Sequence, residues 1–381
     1  MFSNAKFEFF LDVRSGSVGG AIIASGTTQA EVLFATRVRV PIQEKFDADR
    51  VSGMALQGVR DVIETLRKHA RGSNPSRIHV TLGSPWHVCQ TRSVTHKSDV
   101  DVRYDNDFVN GVFEREEIAF KEQFFPDTNF STIERKILAV YLNGYLIGSP
   151  LGKKAKELDI SFYLSATPIH FKEALLKQIG SVYAHREITF HTFPLLALVA
   201  CNNILSENES SYLLIDLGGE ISDASFIKNG AGIESISFPL GAHSIIRDVA
   251  KKFATSLIEA ESLYKAFRDK SVTSAVAMKI ESVLSDVRVK WTTYISGILQ
   301  KFATEYILSR TIVLIGNKET VLELKSIFEQ PDISQLTMSL TDVNVLTPDS
   351  EVFLKKLKAR DGVAKLDVFL AVEIFTLDKL F

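Results

Sequence analysis

Two stretches of this sequence share one pattern, about 200 residues apart. Residues 9–23 read FFLDVRSGSVGGAII and residues 213–227 read LLIDLGGEISDASFI. Each is an apolar run ending in an aspartate, Asp12 or Asp216, followed by a Gly/Ser-rich turn and a second apolar run. Short apolar runs on either side of such a turn read as strand, tight turn, strand. A hairpin written twice at this distance predicts two similar lobes facing each other across a cleft. Two opposed glycine-rich hairpins can hold a polyphosphate between them.

The chain of 381 residues is long enough for two or three domains. With 45% apolar and 24% charged residues it reads as an ordinary globular protein. A net charge of −2 argues against a general nucleic-acid binder, which would carry a basic excess. Cys89 and Cys201 lie in or near apolar segments and read as buried thiols of a reducing compartment. The opening MFSNAKFEFFLDV lacks the basic region and cleavage site of a secretory leader. No run of 18 apolar residues is present, so no membrane insertion is expected and a cytoplasmic location is.

After the first hairpin, residues 32–40 read as a third strand, 51–67 as a helix and 77–84 as a strand. The helix aligns Ala55, Val59, Val62, Ile63 and Leu66 on one face. This β-β-β-α-β order predicts an α/β lobe with a mixed sheet. From about Val88 the chain turns polar, and residues 91–111 read as irregular. A helix over 113–124, a hairpin around Asn143-Gly144, a strand over 159–167 and a short helix closed by Gly180 then predict a small α+β insert. A helix follows Pro194, and the polar SENESS leads into the second hairpin. Helices over 245–253, 257–267 and 274–301 come next. The last of these carries a stripe of Ile280, Val283, Leu284, Val287, Trp291, Ile295 and Ile298, which fits a core-facing helix better than a partner surface. Residues 311–317 read as a buried strand ending at Gly316, and 363–381 as a helix apolar on nearly every side.

A strand-end aspartate beside a glycine-rich turn can hold magnesium through water, and the turn offers backbone N–H groups to phosphate oxygens. Aspartate also caps tight turns without any ligand; its repetition favours a functional pair. GSVGG is not a dinucleotide-binding fingerprint, because a strand rather than a helix follows it. The eight histidines show no metal-ligand spacing, and no nucleophile elbow is present. Lys153, Lys154 and Lys156 read as a solvated loop or helix start. Arg67, Lys68, His69 and Arg71 read as the cationic end of a helix.

These residues resemble the actin-like superfamily of actin, Hsp70 and sugar kinases, and within it the bacterial FtsA (cell division) and PilM (type IV pilus assembly) family. DVRSGSVGG resembles the first phosphate motif and IDLGGEISD the second. FPLGAHSIIRDVA, with Pro239 and Gly241, resembles the segment after the second motif. LIEAESLY resembles the helix whose glutamate, here Glu261, binds ribose, and IVLIGN stands in the place of the adenosine motif. The segment with LNGY and SPLGKKAKEL resembles the 1C subdomain. The resemblance implies an α/β, actin-like two-lobed fold with an inserted 1C-type (SHS2-like) α+β subdomain. Lobe 1 is expected in 1–88, 182–207 and 356–381, the insert in 89–181, and lobe 2 in 208–355. It implies ATP and magnesium contacts at Asp12, Arg14, Ser15, Gly16, Ser17, Asp216, Gly218, Gly219, Glu220, Gly241, Glu261, Tyr264, Gly316 and Asn317, with Asp12 and Asp216 on the metal.

The departures from the family pattern leave two arrangements open. Arg14 stands where glycine is usual, Glu220 where glycine or threonine is, and Tyr264 where a lysine lies near the adenine; Gly316 is a lone glycine followed by Asn317 and Lys318. Either ATP binds, with Arg14 beside its phosphates and Tyr264 stacked on the adenine, or Arg14 and Glu220 pair across an empty cleft and close it. At most a slow ATPase is expected, with Glu220 the sole candidate base. The resemblance further implies a cytoplasmic scaffold of a pilus or division machine. It would reach the membrane through a cytoplasmic peptide of an inner-membrane partner docking near the insert, with self-association possible. The final helix follows without a flexible linker and is expected to pack on lobe 1. The competing classes are a small-molecule kinase, using one of Asp99, Asp101, Asp105 or Asp107, and a filament-forming protein.

Overall fold

Strand β1 (Phe7–Val13) is an apolar run buried on both faces, the mark of a central strand covered by helices on each side. In the computed structural model, which describes residues 7–24, 30–126, 129–206, 209–328, 343–355, 358–359 and 366–380, β1 is the centre of a six-stranded sheet. It pairs antiparallel with β2 (Ser17–Ala24), which pairs with β3 (Glu31–Arg39). Helix α1 (Ala48–His69) begins at Asp47, whose side chain accepts the Arg50 N–H at 2.9 Å. The face forecast from spacing is buried in full, and Arg67, Lys68 and His69 end the helix. β4 (Arg77–Leu82) then lies parallel to β1 on its other side.

The polar stretch expected to be irregular is instead the long strand β5 (Val88–Arg103). Val94, His96 and Val102 are half-buried while Thr95, Lys97, Asp99 and Asp101 face water, a period of two hidden by the near absence of large apolar residues. Asp105 caps α2 (Asn106–Phe124), which covers a sheet of order β5-β8-β6-β7. β6 (Phe130–Leu142) and β7 (Tyr145–Ile147) join through Asn143 and Gly144 at φ 49° and 82°, the paired positive angles a two-residue hairpin needs. Lys154 and Lys156 are exposed as expected, but within β8 (Lys154–Pro168). Helix α3 (Ile169–Val182) runs through Gly180 rather than ending there, and its last turn closes where the Tyr183 N–H meets the Ile179 carbonyl. Its Phe171, Leu175 and Ile179 pack with α1 and Trp86 in the lobe-1 core.

β9 (Glu187–Thr192) returns the chain to the first sheet, parallel to β4, and leads into α4 (Phe193–Ile204). The second sheet repeats the arrangement of the first. β10 (Tyr212–Asp216) pairs antiparallel with β11 (Ser222–Lys228), which pairs with β12 (Ala231–Phe238). After α5 (Ala242–Phe253), α6 (Leu257–Arg268) and α7 (Ser274–Glu305), β13 (Thr311–Ile315) lies parallel to β10 as β4 does to β1. The α7 stripe is buried throughout, so it is core. α8 (Lys318–Phe328), β14 (Asn344–Leu346), α9 (Ser350–Leu354) and β15 (Lys358–Ala359) precede α10 (Val368–Leu380).

Helix α10 buries Leu370, Ala371, Val372, Ile374 and Phe375 in one core with Phe10 and Phe193 of lobe 1, a core that also takes in Tyr212, Leu214 and Val313 of the second sheet. The forecast start of this helix, Val363, lies outside the described residues. Among the described residues no helix is long and apolar enough to cross a membrane.

Candidate functional site

The two hairpins meet. A Cβ placed on Gly219 would lie 2.5 Å from Gly16 Cα, and one on Gly16 would lie 2.9 Å from Gly219 Cα, so backbone touches backbone where phosphates were expected between them. The Glu220 N–H donates to Ser15 Oγ at 3.1 Å, closing the gap a second time. The opening N–H groups of α5, from Ala242 and His243, donate to the Gly218 and Gly219 carbonyls at 3.1 and 2.9 Å, and are therefore already satisfied. Gly241 is packed against these same carbonyls.

Behind this contact lies Arg14, 3% exposed. Its Nε donates to both oxygens of Asp12, at 3.0 and 3.2 Å, and its Nη1 to both oxygens of Asp216, at 2.9 and 3.0 Å. The planar guanidinium thus joins the two strand-end aspartates of opposite lobes, with one nitrogen on each carboxylate. Two aromatic rings flank it: Cζ lies 3.9 Å from the Phe193 centroid and 3.7 Å from that of Phe369. Asp12 also accepts Arg37 Nη2 at 2.7 Å, and Arg37 holds Asp367 through Nε and Nη2, both at 2.9 Å.

Burial shifts these groups. It pushes Asp216 up to about 7, with Arg14 opposing and Asp223 adding to the rise. Burial, and then the neighbouring Asp12, raise Glu373 well above the usual carboxylate range. Burial works against the Arg37 charge, yet Asp367 and Asp12 outweigh it and hold its pKa above the ordinary arginine value.

The residues present do not fit a magnesium ion. Both expected ligands are buried and already neutralised by guanidinium groups, leaving no room for a hydrated divalent cation. The expected pairing of Arg14 with Glu220 is not formed. Glu220 turns away and accepts from His243 Nδ1 at 2.8 Å and Arg247 Nη2 at 2.6 Å. Its pKa is lowered because these two partners outweigh its partial burial.

Outside the closed seat a cleft of about 900 Å³ persists. Arg14, Gly16, Ser17, Gly218, Gly219, Glu261, Tyr264, Gly316 and Asn317 line it; Asp12, Ser15, Asp216, Glu220 and Gly241 do not. Glu261 pairs with Arg39 across the lobes. Tyr264 is buried and its hydroxyl has no partner. Asn317 caps α8 by accepting the Thr320 N–H at 2.8 Å, which explains an asparagine where a glycine was expected. Asp105 is spent as the α2 cap, and Asp99, Asp101, Asp105 and Asp107 lie away from the cleft. Among the described residues no cluster of His, Cys, Asp and Glu has metal-holding geometry.

Sequence reasoning missed Arg37, Phe193, Asp367, Phe369 and Glu373. Glu373 carried a signal, being the one acid in an apolar helix interior; the others look like ordinary strand, helix-start and cap residues. It also missed the pairing of Asp223 with Ser84, 2.9 Å, which ties lobe 2 to the exit of β4.

Two lobes, each an antiparallel strand–Asp–hairpin unit with a parallel third strand, enclosing a cleft and carrying an insert in the first, make up the actin-like fold, and this chain has it. A solved PilM–PilN type IV pilus biogenesis complex matches it at a TM-score of 0.66 with 12% identity, over 97% of both chains. Looser matches are a Bacteroides thetaiotaomicron protein with an actin-like ATPase fold and unknown function (0.46, 8%, 98% and 96% covered) and the ethanolamine utilization protein EutJ of Carboxydothermus hydrogenoformans (0.47, 11%, 98% and 89%). No family model matches the chain, and no curated protein matches it in sequence. At these identities the likeness is one of fold.

Proposed function

We propose that this protein is an actin-like scaffold of a membrane-associated machine, of the kind that includes PilM, in which the seat between the two hairpins is held shut by the protein's own side chains. The observation that carries this reading is the Arg14 guanidinium between Asp12 and Asp216. A charged group fixed at about 3 Å from both carboxylates removes the charge that would attract magnesium, and the Gly16–Gly219 contact removes the phosphate seat. Phosphoryl transfer relies on metal and phosphate positioning, so a cleft without either is a poor ATPase or kinase. Glu220, engaged by His243 and Arg247, is likewise a poor base.

In this reading the protein works in the cytoplasm. A cytoplasmic peptide of an inner-membrane partner docks near the insert, 89–181, and brings the scaffold to the membrane. The fold-level likeness to a PilM–PilN complex supports this. The lobe divisions given above are part of the same proposal.

The test is small-angle scattering and steady-state turnover with and without Mg-ATP. An unchanged scattering profile and no phosphate release support the reading. Nucleotide-driven compaction or turnover overturns it.

A further inference from the structure

Away from the cleft, four titratable side chains stand in a row across β1, β4, β9 and β6. Glu8 Oε2 lies 3.2 Å from His79 Nε2, His79 Nδ1 lies 3.4 Å from His191 Nε2, and His191 Nδ1 lies 3.7 Å from Glu134 Oε1. Glu8 is partly exposed, while His79 and Glu134 are buried. β1, β4 and β9 belong to the six-stranded sheet and β6 to the four-stranded one, so the row crosses the seam between them. Glu134 ties that seam. Its Oε2 accepts from the Thr192 N–H at 3.2 Å, from Thr192 Oγ1 at 2.5 Å and from Ser165 Oγ at 2.9 Å, while Oε1 has no hydrogen-bond partner.

The row is one proton short. Each of its three contacts needs one hydrogen between the facing atoms, and two neutral imidazoles supply two. If His79 donates to Glu8 and His191 points its N–H at Glu134, two ring lone pairs face each other. If His191 donates inward instead, its other lone pair faces a buried carboxylate oxygen. Thr189 Oγ1, 2.9 Å from His79 Nδ1 and 3.2 Å from His191 Nε2, brings a single hydroxyl proton to the middle contact and none to the outer ones. A metal ion does not fit between nitrogens 3.4 Å apart, since zinc needs about 2.0–2.1 Å to each.

We infer that Glu8, His79, His191 and Glu134 form a binding site for one proton, which gives the seam between the two sheets a charge set by pH. The proton comes from water and bonds to a free lone pair of the row, so one N–H or O–H forms and the charge of the site rises by one. The rings share it, because two imidazolium ions in direct contact repel each other and a second proton does not follow in the same range. Burial lowers the His79 pKa; the hydrogen bond to Glu8 opposes the fall, and His191 and Arg77 add to it. Uptake therefore lies on the acid side of the ordinary value of 6.5. The helices over this face, α4 and α10, bring Cys201, whose thiol burial pushes up to about 12, and Glu373, which acts on Asp12. Around Glu134 stand His87, Cys89 and Tyr163, and burial favours the neutral form of each.

The experiment follows the imidazole nitrogen NMR shifts of isotope-labelled histidines in the full-length protein from about pH 8 to about pH 5. His79→Gln and His191→Gln assign the two signals, and the exposed His170 reports an ordinary histidine. The expected result is that His79 and His191 move together with one midpoint and share between them the shift that His170 shows alone. Glu134→Gln should weaken proton uptake at least tenfold, because it removes a charge and its amide brings the missing N–H. The wild-type titration stands by itself if that variant fails to fold. Full and separate titration of each ring, or no movement of either, overturns the inference, as does an unchanged midpoint in a folded Glu134→Gln. None of these outcomes bears on the closed seat.

Discussion

Arg14 Nη1 lies 2.9 and 3.0 Å from the two oxygens of Asp216, a residue 202 positions away in the other lobe, while Arg14 Nε holds Asp12 in its own. One side chain therefore joins the two strand-end aspartates of opposite lobes. A bound cation would dissociate; this one is covalently attached, so closure does not depend on ligand concentration.

Replacing Arg14 with glycine leaves Asp216 buried and uncompensated, and Asp12 with Arg37 as its remaining cation. Breaking a buried pair this way costs about 3–5 kcal/mol. Chemical denaturation should show that loss, and millimolar magnesium should restore part of it, since the cation can then occupy the seat. Wild-type stability should be indifferent to magnesium. A variant as stable as wild type in chelator would contradict the account.

Gly219→Ala tests the hairpin contact. The added Cβ would come 2.5 Å from Gly16 Cα and 2.7 Å from Gly16 N, backbone atoms that cannot swing aside. Overpacking of this kind costs about 1–3 kcal/mol. A Tm unchanged from wild type would mean the hairpins are apart in solution.

Glu220→Ala separates the two modes of closure weighed from sequence. The carboxylate serves His243 and Arg247 rather than Arg14, so its loss should cost about 2 kcal/mol through those partners and leave Mg-ATP binding absent. Binding gained in this variant would show that Glu220 does close the cleft.

The pH dependence has two arms. Glu220 and Asp367 have lowered pKa values: burial opposes the shift, but His243 and Arg247 in the first case, and Arg37 in the second, outweigh it. Their contribution is complete above the unfolded values of 4.5 and 3.8 and is lost as pH falls below them. Asp216 and Glu373 are raised by burial, so the unfolded chain gives up their protons first, and stability falls as pH rises from 3.8 and 4.5 respectively. The Asp216 part levels off near about 7. Thermal unfolding should therefore peak at mildly acidic pH, and Glu373→Gln should make the decline on the alkaline side shallower. A parallel decline in that variant would show that Glu373 is not held protonated.

Much of the fold was legible because it is written in local patterns. The duplicated hairpin, the α1 and α7 stripes and the Asn143-Gly144 turn each depend on neighbours a few residues away. β5 was missed because an exposed strand made of polar residues has alternation without hydrophobicity. At the site, Asp12, Asp216 and Arg14 were picked out, but the partner of Arg14 was not. Which acid a guanidinium reaches depends on the relative placement of strands 200 residues apart and on the rings of Phe193 and Phe369, and no local pattern encodes either.

The most direct measurement is calorimetric titration of nucleotide-stripped wild-type protein with Mg-ATP, run beside Arg14→Gly. The account predicts no heat of binding for the wild type and measurable binding for the variant. Binding by the wild type that is lost when Asp12 or Asp216 is changed would contradict it, because the two aspartates would then be holding a metal rather than Arg14.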